Sequence, residues 1–103
     1  MTNEDFLTEL ESSFNRAKRT LASKAKVYAQ NADRLENFKC AAGAQNINPV
    51  EALVGMMSKH YVSVCVMAKN PTSHSIKEWD EKLGDLRNYV LLAEALIRDI
   101  GVV

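Results

Sequence analysis

The sequence predicts an all-α domain, a small bundle of about four helices. Three observations carry that reading. No run of residues alternates apolar and polar at period two, and apolar residues recur at three- and four-residue steps over four long stretches. Both prolines, Pro49 and Pro71, fall at the ends of those stretches. At 103 residues the chain is the length of a single domain, residues 1–103, with enough surface to bury for a modest core.

The first helix is expected over about residues 3–30, because Phe6, Leu10, Phe14, Ala17, Leu21, Ala25 and Tyr28 lay one stripe toward a core. Thr2, with Asp5 three residues on, is its start signal. A short second helix over about residues 33–42 carries Leu35, Phe38, Cys40, Ala41 and Ala42; Gly43 reads as its end and residues 44–48 as a loop. The third helix has the clearest beginning. Asn48 is the cap, Pro49 suits the first helical position, and Glu51 completes a capping-box-like pattern. It runs to about residue 69, where Asn70-Pro71 stops it. Ser75 paired with Glu78 starts the fourth helix, with His74 and Trp79 as a staple across the start. That helix continues to about residue 99, and Gly101 is its C-terminal break.

The third helix is apolar on too much of its circumference for one partner: Val50, Leu53, Val54, Met56, Met57, Tyr61, Val62, Val64, Val66 and Met67 spread around it. Such a helix is either central in the bundle or packs on a second chain as well. With so few helices to surround it, a homodimer is the expected partner arrangement.

Lys plus Arg and Asp plus Glu balance at 13 each, which argues against a general binder of nucleic acid or membrane surfaces. The balance is uneven, however. Residues 12–39 carry seven basic side chains against two acidic, enough to attract phosphate, with a solvated helix face as the plainer explanation. No aromatic–basic interleaving accompanies those charges, so direct nucleic-acid binding is the weakest class. Cys40 and Cys65 have no C-x-x-C spacing and sit beside apolar neighbours, which reads as two small buried hydrophobes in a reducing compartment. The start MTNEDF lacks an apolar signal core, and no stretch approaches the ~20 apolar residues of a membrane span, so a cytoplasmic protein is expected.

The polar residues within the helical stripes are the functional candidates. On the third helix His60 falls in the core line of Leu53, Met57, Val64 and Met67, with Lys59 and Ser63 at its border. On the fourth, Trp79, Leu83, Leu86, Val90, Ala93 and Ile97 form the expected principal core line. Glu81, Asp85 and Asn88 share the flanking face that continues into Leu92 and Leu96, and Lys82 and Tyr89 flank the core line too. If the two helices are antiparallel neighbours, residues 59–63 and 81–88 come level. In one reading Lys59 pairs with Glu81 or Asp85 and His60 makes one hydrogen bond, a network that fixes helix register. In the other, Glu81 and Asp85 hold a hard cation such as Mg²⁺, and a phosphate ester completes its shell with Lys59, Arg34 or His60 neutralising charge. Asp33, Arg34 and Asn37 form a second cluster beside Phe38 at the start of the second helix. Asp33 serves there as a cap or first-turn charge, and Arg34 and Asn37 either are solvated or reach a phosphate or base.

The stretches AKVYAQNADRLENFKCAA, PVEALVGMMSKHYVSV and WDEKLGDLRNYVLLAEALI resemble a small nucleotide-modification-associated domain of phage and bacterial genomes. That domain is related in pattern to the all-α, MazG-like nucleotide pyrophosphohydrolases. The resemblance covers about three quarters of the chain, roughly residues 24–97, and is most specific at K-H-x-x-S (Lys59, His60, Ser63) and W-x-E-K-x-x-D-x-x-N-Y (Trp79, Glu81, Lys82, Asp85, Asn88, Tyr89). It implies a MazG-like bundle that binds, and as an enzyme hydrolyses, (deoxy)nucleotides with Mg²⁺, by attack of water on the α–β phosphoanhydride. Glu81 and Asp85 would be the metal ligands. Asp33, Arg34, Asn37, Lys59, His60, Ser63, Lys82, Asn88 and Tyr89 would bind the nucleotide. Two departures stand out. Lys82 occupies the position of the Glu expected three residues before Asp85, and no acidic residue lies between Glu51 and Glu78, where the family's first carboxylate motif belongs. The chain is therefore read either as such a nucleotide protein or as a non-catalytic helical adaptor associated with nucleotide or DNA modification, and whether it is an enzyme stays open.

Overall fold

Three of the helices start where a short polar side chain satisfies their first backbone N–H groups. Thr2 Oγ1 accepts from the Asp5 amide at 3.0 Å, and Asp5 Oδ2 accepts in return from the Thr2 amide at 3.3 Å. Asn48 Oδ1 accepts from the Glu51 amide at 3.0 Å with Pro49 at the first helical position. Ser75 and Glu78 close a full capping box, both bonds at 3.1 Å. In the computed structural model the helices are α1 (Asn3–Tyr28), α2 (Glu36–Gln45), α3 (Pro49–Ala68) and α4 (Ile76–Asp99), with a 3₁₀ turn at Pro71–Ser73. The structure describes residues 1–28 and 33–103, the side chains of 24–28 excepted, and the described residues contain no strand. The expected last residues of the first helix, 29 and 30, lie outside them.

The all-α expectation holds, and α2 is where its details differ. Asp33 Oδ1 accepts from the Leu35 amide at 3.0 Å, so residues 33–35 form a turn and the helix proper begins at Glu36. Gly43 does not end it. The chain continues to Gln45, and Asn46 takes the left-handed cap at φ 55°, its N–H directed at the carbonyls of Ala42 and Gly43. Either residue type tolerates that conformation, and the one placed three residues later serves. Gly101, at φ 84°, takes the same role after α4, as the sequence leads one to expect.

The core lies between α2, α3 and α4. Leu53 and Leu96 are completely buried, Leu35 and Phe38 close the cluster, and Val50, Met56, Tyr89, Leu92 and Ala93 pack against it. The register of α3 and α4 follows from the short connection: Trp79 Nε1 donates to the Pro71 carbonyl at 2.9 Å, and further along His60 meets Asp85. The pair is antiparallel. His74 and Trp79 meet edge to face at the α4 start, with ring centroids 6.1 Å apart.

Three expectations about burial are corrected. On α4 the buried line runs through Gly84, Asn88 and Leu96, whereas Leu83 and Val90 of the supposed principal line are exposed. Both faces of α4 carry apolar residues, and the side that α2 and α3 occupy decides which is core. Among the described residues of α1 only Ala17 is buried, while Phe6, Leu7, Leu10 and Phe14 are exposed and every residue from 1 to 11 faces solvent. This helix leans on α4 around Ala17 and projects beyond it. The radius of gyration, 15.7 Å, accordingly exceeds the roughly 13 Å of a compact domain this long. Cys40 and Cys65 are both exposed, free thiols, because their helix faces point away from the α2–α3–α4 core.

Candidate functional site

A cleft of about 240 Å³ opens where α1, α2, α3 and α4 converge beside the core. Leu21, Phe38, Met56 and Leu92 form its apolar part, and Arg34, Asn37, Asp85, Asn88 and Tyr89 its polar part. Each polar group arrives for a local reason. The Asp33 turn places Arg34 and Asn37 at the start of α2, one helical turn apart. Asp85, Asn88 and Tyr89 project from one side of α4, where the buried line turns polar toward the N-terminal end. A cleft mostly apolar in lining with a few convergent polar groups is the usual form of a small-molecule site, although this one lies below the ~300–1,000 Å³ typical of drug-sized ligands.

His60 supports the cleft from α3. Its Nδ1 lies 3.7 Å from Asp85 Oδ2, and its ring leans on that of Tyr89 with centroids 4.9 Å apart and planes 31° from parallel. The expected meeting of the two polar patches therefore occurs, but through His60. Lys59 is exposed and makes no ion pair with Glu81 or Asp85 among the described residues, so the expected lysine–carboxylate network is not formed. Ser63 turns back on its own helix, its hydroxyl donating to the Lys59 carbonyl at 3.2 Å. Lys82, half-buried, and Glu81, exposed, do not line the cleft.

Asp33 is taken up by structure. Besides capping the turn it binds Lys39, which also reaches Asp99 at 2.8 Å, so one ammonium ties the start of α2 to the end of α4. The hydrogen bond from Lys39 and that from the Leu35 amide hold the Asp33 carboxyl below its ordinary value of 3.8. The two carboxylates raise Lys39 above its ordinary 10.5.

Sequence reasoning passed over Arg87. Its Nε and Nη2 donate to Asn88 Oδ1 at 3.2 and 3.1 Å, and its Nη1 donates to Ser13 Oγ at 2.8 Å. Arg87 thus fastens α1 to α4 and orients Asn88, a buried polar residue of the cleft wall. Burial, reinforced by the nearby positive charge of Arg16, lowers the Arg87 pKa, while Asp80 opposes the shift. Arg16 is held by Glu9 at 3.0 Å and Ser12 at 2.7 Å, leaving its Nε buried without a partner. The available signal was the pairing of Arg87 with the small residues Gly84 and Ser13, which is visible only once α1 and α4 are known to touch.

Three cation-binding donors do not gather here. Among the described residues no group of three or more His, Cys, Asp and Glu side chains is placed to hold a metal. Asp85 is the carboxylate in the cleft; Glu81, one turn away, is outside it. The residues present fit a cation shared with a ligand's own oxygens, as Mg²⁺ is commonly bound, and do not fit an all-protein cage. In comparisons with known proteins the chain matches no family model, and no curated protein and no solved structure matches it significantly.

Proposed function

We propose that this chain is a helical nucleotide-binding domain, with the cleft between α1, α2, α3 and α4 as its site. One observation carries the reading: Arg34, Asn37, Asp85, Asn88 and Tyr89, singled out in sequence from two separate stretches, line a single cleft with an apolar floor. The chemistry suits a planar base with a phosphate tail. Phe38, Met56 and Leu92 offer the base an apolar bed, and the Asn37 and Asn88 amides offer edge hydrogen bonds. Arg34 supplies a fork for phosphate, and Asp85 is the carboxylate for a Mg²⁺ carried in on the phosphates. The MazG-like resemblance of the Lys59–Ser63 and Trp79–Tyr89 motifs, and its phage and bacterial setting, point the same way. The sparse carboxylates favour binding over pyrophosphate release.

A thermal-shift screen of nucleotides with and without Mg²⁺ tests this. A ligand at a hundred times its dissociation constant stabilises by about 2.7 kcal/mol, a shift of roughly 10 °C or more at this size. Arg34→Ala and Asp85→Asn are expected to abolish the shift, Asp85→Asn without lowering the unliganded midpoint much. If no nucleotide moves the melting temperature of the unaltered chain, the reading is wrong. Pyrophosphate release assayed in parallel separates hydrolysis from binding.

A second reading, a non-catalytic interaction module, is favoured by a different observation: the exposed apolar residues of α1 and α3. Retained folding and helix-mediated association with no nucleotide response would select it. A cytoplasmic location is proposed for either; no helix among the described residues is long and apolar enough to cross a membrane.

A further inference from the structure

α3 is buried along one side only. Ala52, Leu53 and Met67 face the core, while Val54, Tyr61, Val62 and Val66 stand 45–61% exposed on the other side. Between them runs a seam of exposed residues: Glu51, Gly55, Ser58, Val62, Cys65 and Lys69. Their spacing alternates four and three, the repeat that keeps one line of a helix facing a partner helix along its whole length.

The seam is symmetric about its own middle. Turned end for end around position 60, Glu51 falls on Lys69, Gly55 on Cys65, and Ser58 on Val62. Its one acidic residue is at the N-terminal end and its one basic residue at the C-terminal end, with only uncharged residues between. Of the flanking residues, Val54 falls on Val66, apolar on apolar. In an antiparallel pair with its two-fold axis at position 60, each seam residue of one copy meets the paired position of the other, so the end charges meet as opposites and the surface is self-complementary. Parallel pairing would instead set Glu51 against Glu51 and Lys69 against Lys69, like charge against like.

We infer that α3 is the interface of a two-fold homodimer, in which the α3 helices of two copies pack antiparallel with Glu51 of each beside Lys69 of the other. The small seam residues Gly55, Ser58 and Cys65 let the helices approach at the close end of the usual 8–10 Å spacing, and Val54, Tyr61 and Val66 close over the sides. Twenty residues give a contact about 30 Å long. A single helix pair of that length lies near the lower limit of a specific interface, so a dimer that dissociates on dilution is expected. This inference does not depend on the nucleotide reading; the cleft opens on the opposite side of α3, with His60 and Met56.

Disulfide trapping tests both the existence and the direction of the pairing. The full-length chain is made as Cys40→Ser, which leaves Cys65 as the single thiol, and as Cys40→Ser with Gly55→Cys. A Cβ at Gly55 meets nothing within 4 Å, so the added side chain is accommodated. Within one chain residues 55 and 65 are about 15 Å apart along the helix, too far for an internal bridge. Under mild oxidation the Gly55→Cys protein is expected to become a covalent dimer, and the single-thiol protein to stay uncrosslinked. Sedimentation at increasing concentration should give a dimer for the unaltered chain and a monomer for Val62→Lys, with Lys69→Glu weakening association several-fold and Glu51→Lys with Lys69→Glu restoring it. Crosslinking of the single-thiol protein would mean parallel pairing and overturn the inference. So would a monomer at all concentrations, or a dimer indifferent to Val62→Lys but lost with Phe14→Ser, which would place the contact on α1.

Discussion

The α2–α3–α4 body and the projecting half of α1 carry apolar residues at the same helical spacing, yet one is core and the other is surface. Leu35, Phe38, Leu53 and Leu96 are removed from water by three helices that surround them. Phe6, Leu7, Leu10 and Phe14 repeat just as regularly and remain exposed, because α1 touches α4 around Ser13, Ala17 and Arg87 and extends past it. Periodicity states that a helix has an apolar face. It does not state that anything within the same chain covers that face.

The largest effect should separate the two regions directly. Leu53→Ala or Leu96→Ala, each removing a side chain with no exposure, is expected to cost about 2–5 kcal/mol in urea unfolding, by lost burial and by the cavity left behind. Phe14→Ser in the monomer should stay within about 0.5 kcal/mol, as surface changes do. A comparable loss at both positions would show that α1 is covered after all.

The joint between the regions comes next. Ser13→Ala removes the acceptor of the Arg87 Nη1 bond and is expected to cost about 1–3 kcal/mol, a partly buried charged donor being left unsatisfied. Hydrogen exchange should rise in α1 and not in the amides around Leu53.

Asp85→Ala distinguishes a site from a scaffold. With 44% of its side chain exposed and His60 3.7 Å away, its contribution to stability should not exceed ~1 kcal/mol, far below the ~3–5 expected on breaking a buried ion pair. A loss of that larger size would mean that Asp85 belongs to the core.

The smallest effect is the pH response of the Asp33–Lys39–Asp99 tie, which is about a third exposed and weakened by salt. Folding lowers the Asp33 pKa, so its contribution is present above the ordinary 3.8 and is lost as pH falls through the lowered folded value. Folding raises Lys39, so its contribution is present below the ordinary 10.5 and is lost as pH rises through the raised value. Stability should therefore hold a plateau between those limits, and Lys39→Met should remove the alkaline edge and weaken the acid edge, part of which the Leu35 amide sustains; a profile unchanged by that variant would refute the tie.

How much of this could be read from the chain alone varies residue by residue. Thr2, Asn48 and Ser75 announced their helices because capping is a contact between neighbours in sequence, needing nothing from the rest of the fold. Gly43 misled for the same reason in reverse: two nearby residues, Gly43 and Asn46, both tolerate a left-handed cap, and spacing does not choose between them. Arg34, Asn37, Asp85, Asn88 and Tyr89 were legible as polar residues on apolar faces, and the fold brings them to one cleft. Glu81, Lys59, Ser63 and Lys82 were equally plausible on the helical wheel and lie elsewhere, since a shift of about 100° around a helix exchanges cleft for solvent.

The sequence by itself determined that the described residues fold as four α-helices, where α1, α3 and α4 begin, and which faces of each are apolar. These are local consequences of capping chemistry, of proline geometry and of a 3.6-residue period. Only the tertiary structure decided which apolar face of α4 became core, that α1 would project, and that Arg87 would join Ser13 to Asn88. Those outcomes depend on which surfaces meet across tens of residues, and burial is a property of the pair of surfaces rather than of either one.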